Sequence, residues 1–231
     1  MPQAIEKLKT LLGYPPEIAG EKLREALTHR SYSVENNLSY DNQRLEFLGD
    51  AVLEIILTDH LYFRYPDADE GELTRMRSAL VREPALAELA RKLELGTFLM
   101  TGRGEQEAGG AERDSTLADL FEAVLGAAYL EIGYEKLRGF VIQLFTENFP
   151  NPEELLLEIN PKGALQELSQ GRWGEQPEYQ VVAVTGPEHQ PTFEVEVRLH
   201  GFVAVGRAAG RKAAESQAAR QLLDYLKQQE N

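Results

Sequence analysis

Two different rhythms run along this 231-residue chain. Up to about residue 148, apolar residues recur every three or four positions and the segments are punctuated by Gly and Pro. The spacing predicts helices near 3–12, 17–29, 42–65, 70–82, 84–95, 112–132 and 134–148. Pro15-Pro16 stands where it can open the second helix, and Pro84 sits in a first turn, where the missing N–H breaks no hydrogen bond. Gly13, Gly96 and Gly133 fall where left-handed C-terminal caps belong. The stretch 102–111, GRGEQEAGGA, has four glycines and almost no apolar residue, so it reads as a mobile loop ahead of a very apolar helix.

Beyond residue 148 the rhythm changes. FPNPEELLLEINPKG carries three prolines and an acidic cluster, the composition of a connector, placed at 151–160. Residues 162–170 then look like a short helix, and 178–185 (EYQVVAVT) and 192–199 (TFEVEVRL) alternate like strands. A third strand, 202–207, precedes a long Ala-rich helix at 210–228. The predicted architecture is an all-α domain over 1–150 and a small α+β domain, ordered α-β-β-β-α, over 161–231.

Charge sharpens this division. The chain has 24 basic and 38 acidic side chains, a net of −14. Residues 1–150 hold 16 basic and 26 acidic residues, a net of −10, whereas 161–227 hold 8 of each. Cysteine is absent, which removes disulfides, thiolate metal sites and Cys nucleophiles together. The four histidines (29, 60, 189 and 200) form no cluster in sequence, so any metal would be held by oxygen. No apolar run approaches the roughly 20 residues that cross a bilayer, and the expected location is cytoplasmic, with no membrane partner.

The acidic residues are most telling where they interrupt apolar helices. In NQRLEFLGDAVLEIIL (42–57), Glu46 and Asp50 share a face at i, i+4, and Glu54 continues the stripe. In TLADLFEAVLGAAYL (116–130), Asp119 and Glu122 are the only charged residues. Acidic pairs on helices are usually solvated surface. Two such pairs in two nearly all-apolar helices are different, because burying a carboxylate costs several kcal/mol unless something positive compensates it. If the pairs face each other they can hold divalent cations, Mg²⁺ first and Mn²⁺ second. A two-metal carboxylate site points to phosphoryl chemistry. The competing di-iron carboxylate bundle wants Glu-x-x-His motifs, and neither His29 nor His60 has a Glu three positions before it. His29 reads as a hydrogen-bonded core histidine.

The blocks NQRLEFLGDAVL (42–53), ALTHRSY (26–32), GELTRMRSALV (71–81) and LADLFEAVLGAAYL (117–130) resemble, in order, those of the ribonuclease III family. Residues 162–228 are similar to the double-stranded-RNA-binding domain that follows in its bacterial members. The resemblance implies a homodimeric, Mg²⁺-dependent endonuclease without an organic cofactor. Such an enzyme makes staggered cuts in double-stranded RNA that leave 5′-phosphates and 3′-hydroxyls, in rRNA and mRNA processing. It also implies that Glu46, Asp50, Asp119 and Glu122 are metal ligands, with Asp50 and Glu122 catalytic. Gln43 stands where the family often has Glu.

For the second domain the resemblance implies RNA contacts by Gln166 and Glu167 on the first helix, His189 in the loop GPEHQPTF, and Arg211 and Lys212 at the last helix start. Amides and carboxylates bond 2′-hydroxyls, and a basic helix N-terminus suits phosphate. Gly210-Arg211-Lys212 replaces the usual Ser-Lys-Lys and the domain is neutral, so the expected affinity is modest and strongly Mg²⁺-dependent. Phe47, flanking Glu46, is the expected contact across a dimer axis, because the 42–57 helix is apolar on more faces than one neighbour covers. Two rival readings stand beside this one: an RNA-binding or ribosome-assembly protein with a dead site, and a carboxylate metalloprotein unrelated to RNA.

Overall fold

The computed structural model describes residues 2–152, 160–187 and 190–229. It divides into two compact units, Met1–Pro152 and Glu153–Asn231.

The first unit is helical. Its elements are α1 (Pro2–Leu11), α2 (Glu21–Ala26), α3 (Arg30–Glu35), α4 (Gln43–Arg64), α5 (Glu70–Leu80), α6 (Glu83–Lys92), α7 (Arg103–Glu107), α8 (Asp114–Ile132) and α9 (Tyr134–Asn148). The long helices lie where the periodicity places them. Helix α5 opens with a capping box, Asp69 accepting from the Glu72 N–H while Glu72 accepts from the Asp69 N–H. Helix α8 is the centre of the unit, with eleven of its nineteen residues buried, and it packs on α4, α6 and α2.

Three local expectations are corrected. The helix expected at 17–29 is shorter and is followed by a second one. Gly20 adopts a left-handed conformation (φ 77°) just before α2, and Thr28 leaves the helix to pair with Met100 before α3 begins. At the end of α6 the positive φ belongs to Glu94 (55°), not Gly96, which lies within a 3-10 turn over Leu95–Phe98. Gly133 has positive φ but an extended ψ of 169°, so it both ends α8 and begins α9 rather than forming a left-handed cap. The glycine-rich stretch 102–111 is ordered into α7 and a short 3-10 turn. The Glu35 carboxylate accepts the Arg103 N–H at 2.9 Å, the Ser31 hydroxyl accepts the Gly102 N–H at 2.8 Å, and Arg113 pairs with Glu105 at 2.9 Å.

The second unit runs α10 (Pro161–Trp173), β1 (Glu178–Thr185), β2 (Thr192–Leu199), β3 (Phe202–Ala208) and α11 (Arg211–Gln228). The strands form an antiparallel sheet in the order β1-β2-β3, with a register irregularity in β1 between Val181 and Ala183. Leu165 from α10, Val197 and Leu199 from β2, and Ala218, Leu222, Leu223 and Leu226 from α11 make its core, so both helices cover one sheet face. The α-β-β-β-α order and fold class expected from the sequence are those observed.

The feature that shapes the first unit most is the crossing of α4 and α8. A methyl group on Gly49 would overlap the Glu122 carbonyl, and one on Gly126 would overlap the Leu45 carbonyl. The helices therefore meet backbone to backbone, which only glycine permits at both positions. Gly49→Ala should destabilise the unit by at least about 2 kcal/mol, against the roughly 1 kcal/mol gain that Gly→Ala brings in an unobstructed helix. Gly139→Ala in α9, where a methyl meets nothing within 4 Å, is the control and should stabilise. Urea titration followed by circular dichroism checks both signs.

Candidate active site

The close crossing sets the geometry of the acidic residues. Asn42, buried, donates its N–H to the Thr28 carbonyl and accepts from the N–H of Glu46 through its own carbonyl, which fixes where α4 begins. Leu45, Gly49, Val52, Leu53 and Ile56 turn inward, and Glu46 is carried to the edge of the interface one turn into the helix. On α8, Glu122 stands one turn before Gly126, directly over the crossing.

One carboxylate oxygen each from Glu46, Asp119 and Glu122 lie within 4.8 Å of one another. Asp50, the next residue along the α4 stripe, is exposed and outside that triad, but its charge reaches both Glu122 and Glu46. The field of Glu54 also reaches Glu122. Among the described residues, none of Glu46, Asp50, Asp119 and Glu122 has an ion-pair or hydrogen-bond partner.

Uncompensated and partly buried, Glu46, Asp119 and Glu122 resist ionisation. Burial, and after it the charges of Asp50, Glu46, Asp119 and Glu54, push Glu122 up to about 8. Glu46 is raised by burial and by Asp119, Asp41 and Asp50. Asp119 is raised by burial and by Glu83, with His29 acting in the opposite direction. Carboxylates crowded at one point, unpaired with any cation among the described residues, suit a hard divalent ion that replaces the protons they otherwise retain. The donor set is all oxygen, which fits Mg²⁺ or Mn²⁺ and offers nothing to a softer metal.

Neither His29 nor His60 supplies a ligand atom to this cluster. His60 lies on α4 beside Arg64 and near Arg138, and burial followed by those cations lowers its pKa. His29 is half-buried rather than a core residue, and it caps α3 by accepting the Ser31 N–H.

In the second unit, Gln166 and Glu167 are exposed on α10, and Arg211 and Lys212 are exposed at the start of α11. His189 lies outside the described residues. The sequence reading missed Glu215. It is buried at 7% exposure and binds Lys162 of α10 at 2.5 Å and Arg211 at 2.9 Å, joining the two helices and engaging one of the two basic residues at the helix start. Lys162 also lies 4.5 Å from the centre of the Tyr179 ring. The i, i+4 spacing of Arg211 and Glu215 was visible in the sequence, but the burial that gives it weight was not.

Phe47 is 80% exposed, one of several large apolar side chains of α4 left exposed with Ile55, Tyr62 and Phe63. No helix among the described residues is long and apolar enough to cross a membrane.

A helical domain with a carboxylate cluster, followed by an α-β-β-β-α module, has the organisation of a nuclease that works on duplex RNA. Residues 20–148 match the ribonuclease-III-like family model, and 161–226 match the double-stranded RNA binding motif. Ribonuclease 3 of Pelotomaculum thermopropionicum is 48% identical, spanning 96% of this chain and 95% of the relative. Ribonuclease 3 of Vibrio vulnificus is 42% identical, spanning 98% and 99%. A solved structure of the nuclease domain of ribonuclease III from Campylobacter jejuni, described for structural flexibility in a region involved in dimer formation, superposes with a TM-score of 0.59 at 40% identity. It covers 64% of this chain and 99% of that one. The chain belongs to the ribonuclease III family, and by that membership it is an endoribonuclease specific for double-stranded RNA.

The raised pKa of Glu122 has a consequence without metal. Its folded value, about 8, exceeds its ordinary 4.5. The native state therefore holds a proton that the unfolded state has released, and the contribution to stability is full below about 4.5 and lost as pH rises through about 8. In EDTA, the melting temperature of the wild type should fall between pH 5 and 8.5 by several degrees more than that of Glu122→Gln. Equal pH slopes in the two proteins would contradict this electrostatic account.

Proposed function

We propose that Glu46, Asp50, Asp119 and Glu122 hold divalent cations, Mg²⁺ with Mn²⁺ as a substitute, and hydrolyse phosphodiester bonds of double-stranded RNA. The products are staggered ends bearing 5′-phosphates and 3′-hydroxyls. The observation that carries this reading is the convergence of Glu46, Asp119 and Glu122 within 4.8 Å, with no ion pair to a Lys or Arg among the described residues. When bound, the metal supplies a lowered pKa for an attacking water and charge to stabilise the leaving oxygen.

The chain's own residues supply position and field. Glu46 and Glu122, set by the α4/α8 crossing, carry the charge that draws cations to one point, and Asp119 completes the donor set. Asp50, exposed beside them, is placed to reach water or substrate at the rim, and with Glu122 it is the residue assigned to the catalytic step. Burial around Glu122 lowers the local dielectric and strengthens each of these interactions. The negative first unit repels RNA on its own, so duplex capture falls to the second unit, through Gln166, Glu167, His189, Arg211 and Lys212. Residues 1–150 serve as the catalytic domain, 151–160 as linker and 161–231 as the RNA-binding domain, in a cytoplasmic enzyme that processes cellular RNAs, rRNA and mRNA included.

The chain works as a homodimer. Phe47, 80% exposed, is the contact across the two-fold axis, which brings two sites together to cut both strands. Light scattering at micromolar concentration should give twice the 25.9 kDa chain mass, and Phe47→Asp should shift the protein to monomer. A monomeric wild type would remove the dimer from the account.

The main test is Glu122→Gln, with cleavage and binding followed on one labelled hairpin. The amide keeps the shape and one acceptor oxygen while removing the charge. Cleavage should fall by at least about 10²-fold with the duplex still bound, and high Mn²⁺ should restore part of the activity. Cleavage at the wild-type rate would refute the site.

A further inference from the structure

The two helices proposed to meet the duplex, α10 and α11, are joined near their starts by one buried carboxylate. Asn160 accepts the Gly163 N–H at 3.0 Å and fixes the first turn of α10, which carries Lys162. The start of α11 is fixed against the sheet, because a methyl group on Gly206 of β3 would overlap the Ala214 carbonyl, so strand and helix meet at their backbones. The Glu215 carboxylate bridges the two helices, one oxygen accepting from Lys162 Nζ at 2.5 Å and the other from Arg211 Nε at 2.9 Å.

The bonding pattern divides the work among the three side chains. The hydrogen bond from Lys162, which outweighs burial, holds the Glu215 carboxyl below the ordinary carboxylate range with help from Arg211. Lys162 offsets that negative charge, so the positive charge of Arg211 is left over. The guanidinium is held through Nε alone: among the described residues Nη1 and Nη2 have no partner, and the side chain is 64% exposed. Those two nitrogens offer parallel N–H donors that match two oxygens of a phosphate, a fork that the single nitrogen of an ammonium cannot form.

We propose that Glu215 is a positioning residue for RNA binding: by gripping Arg211 at Nε it keeps the Nη1–Nη2 edge of the guanidinium ready for a backbone phosphate of the duplex, and through Lys162 it ties that fork to α10. The inference rests on the reading that Arg211 contacts RNA. A long side chain held in one arrangement before binding loses less conformational freedom when the phosphate arrives. This role runs against charge counting. A carboxylate beside an RNA contact repels phosphate, so on charge alone its removal strengthens binding, whereas loss of a positioning group weakens it.

The test is a double-mutant cycle over Glu215→Met and Arg211→Ala, with binding to a labelled RNA duplex measured in Mg²⁺. The parent is the full chain carrying Glu122→Gln, in which the duplex should stay uncut. Met keeps the length of Glu but offers no carboxylate to Arg211. Glu215→Met should weaken binding about 10-fold, the scale of one charge-assisted hydrogen bond, although it removes a negative charge. With Arg211→Ala already present, Glu215→Met should bring no further loss, because the group it positions is gone. Arg211→Ala alone should lower the salt dependence of binding by about one phosphate contact. Binding by Glu215→Met as tight as the parent's, or tighter, overturns the proposal. A loss of equal size with and without Arg211 also overturns it, by making Glu215 a support of the fold alone. If the parent binds no duplex, or Arg211→Ala binds as tightly as the parent with the same salt dependence, the reading of Arg211 as an RNA contact falls instead.

Discussion

Everything in the acidic site depends on two glycines that let two helices touch at their backbones. Gly49 and Gly126 sit against the carbonyls of Glu122 and Leu45, so α4 and α8 approach more closely than any side chain would allow. Ordinary helix packing separates axes by 8–10 Å, set by the side chains between them. Removing those side chains at one point brings Glu46 and Glu122 face to face, while Leu45, Val52, Leu120 and Phe121 seal the interface around them. The cluster is a by-product of the crossing, and the crossing is held by the apolar burial of α8.

That arrangement stores an electrostatic conflict. The fold gathers carboxylates where burial and mutual repulsion oppose their ionisation, and the first domain is acidic overall. Ionisation of such a site costs stability unless a cation enters. The second domain carries no compensating excess of positive charge. At its basic helix start, Arg211 already pairs with the buried Glu215, which also binds Lys162, so stability of the module and attraction for phosphate draw on the same side chains. In the proposed reading, recognition of a duplex leans on shape and hydroxyl contacts more than on bulk charge.

Much of this was legible in the sequence because its strongest signals are periodic. The long helices α4, α5, α8 and α9 and the three strands follow their hydrophobic spacing, and the four carboxylates stood out as interruptions of apolar faces. What escaped was decided by contacts distant in sequence. Residues 102–111 read as mobile because their composition is, yet Ser31 and Glu35, some seventy residues earlier, supply the hydrogen bonds that order them. The break between α2 and α3 comes from pairing of Thr28 with Met100, which no local pattern announces. Asp50 shares a helical face with Glu46, but spacing alone could not show that it would stand exposed while Glu46 joined Asp119 and Glu122. Nothing local marks glycine at 49 and 126; its meaning appears only when both helices are seen together.

The central claim is that these carboxylates cut double-stranded RNA through divalent cations. Its most direct measurement is a gel comparing one labelled RNA as duplex and as single strand, each with Mg²⁺ and with EDTA. The account predicts discrete products from the duplex in Mg²⁺ alone, with 5′-phosphate ends and none from the single strand. Equal cleavage of the duplex in EDTA, or an intact duplex in Mg²⁺ with folded protein bound to it, would contradict it.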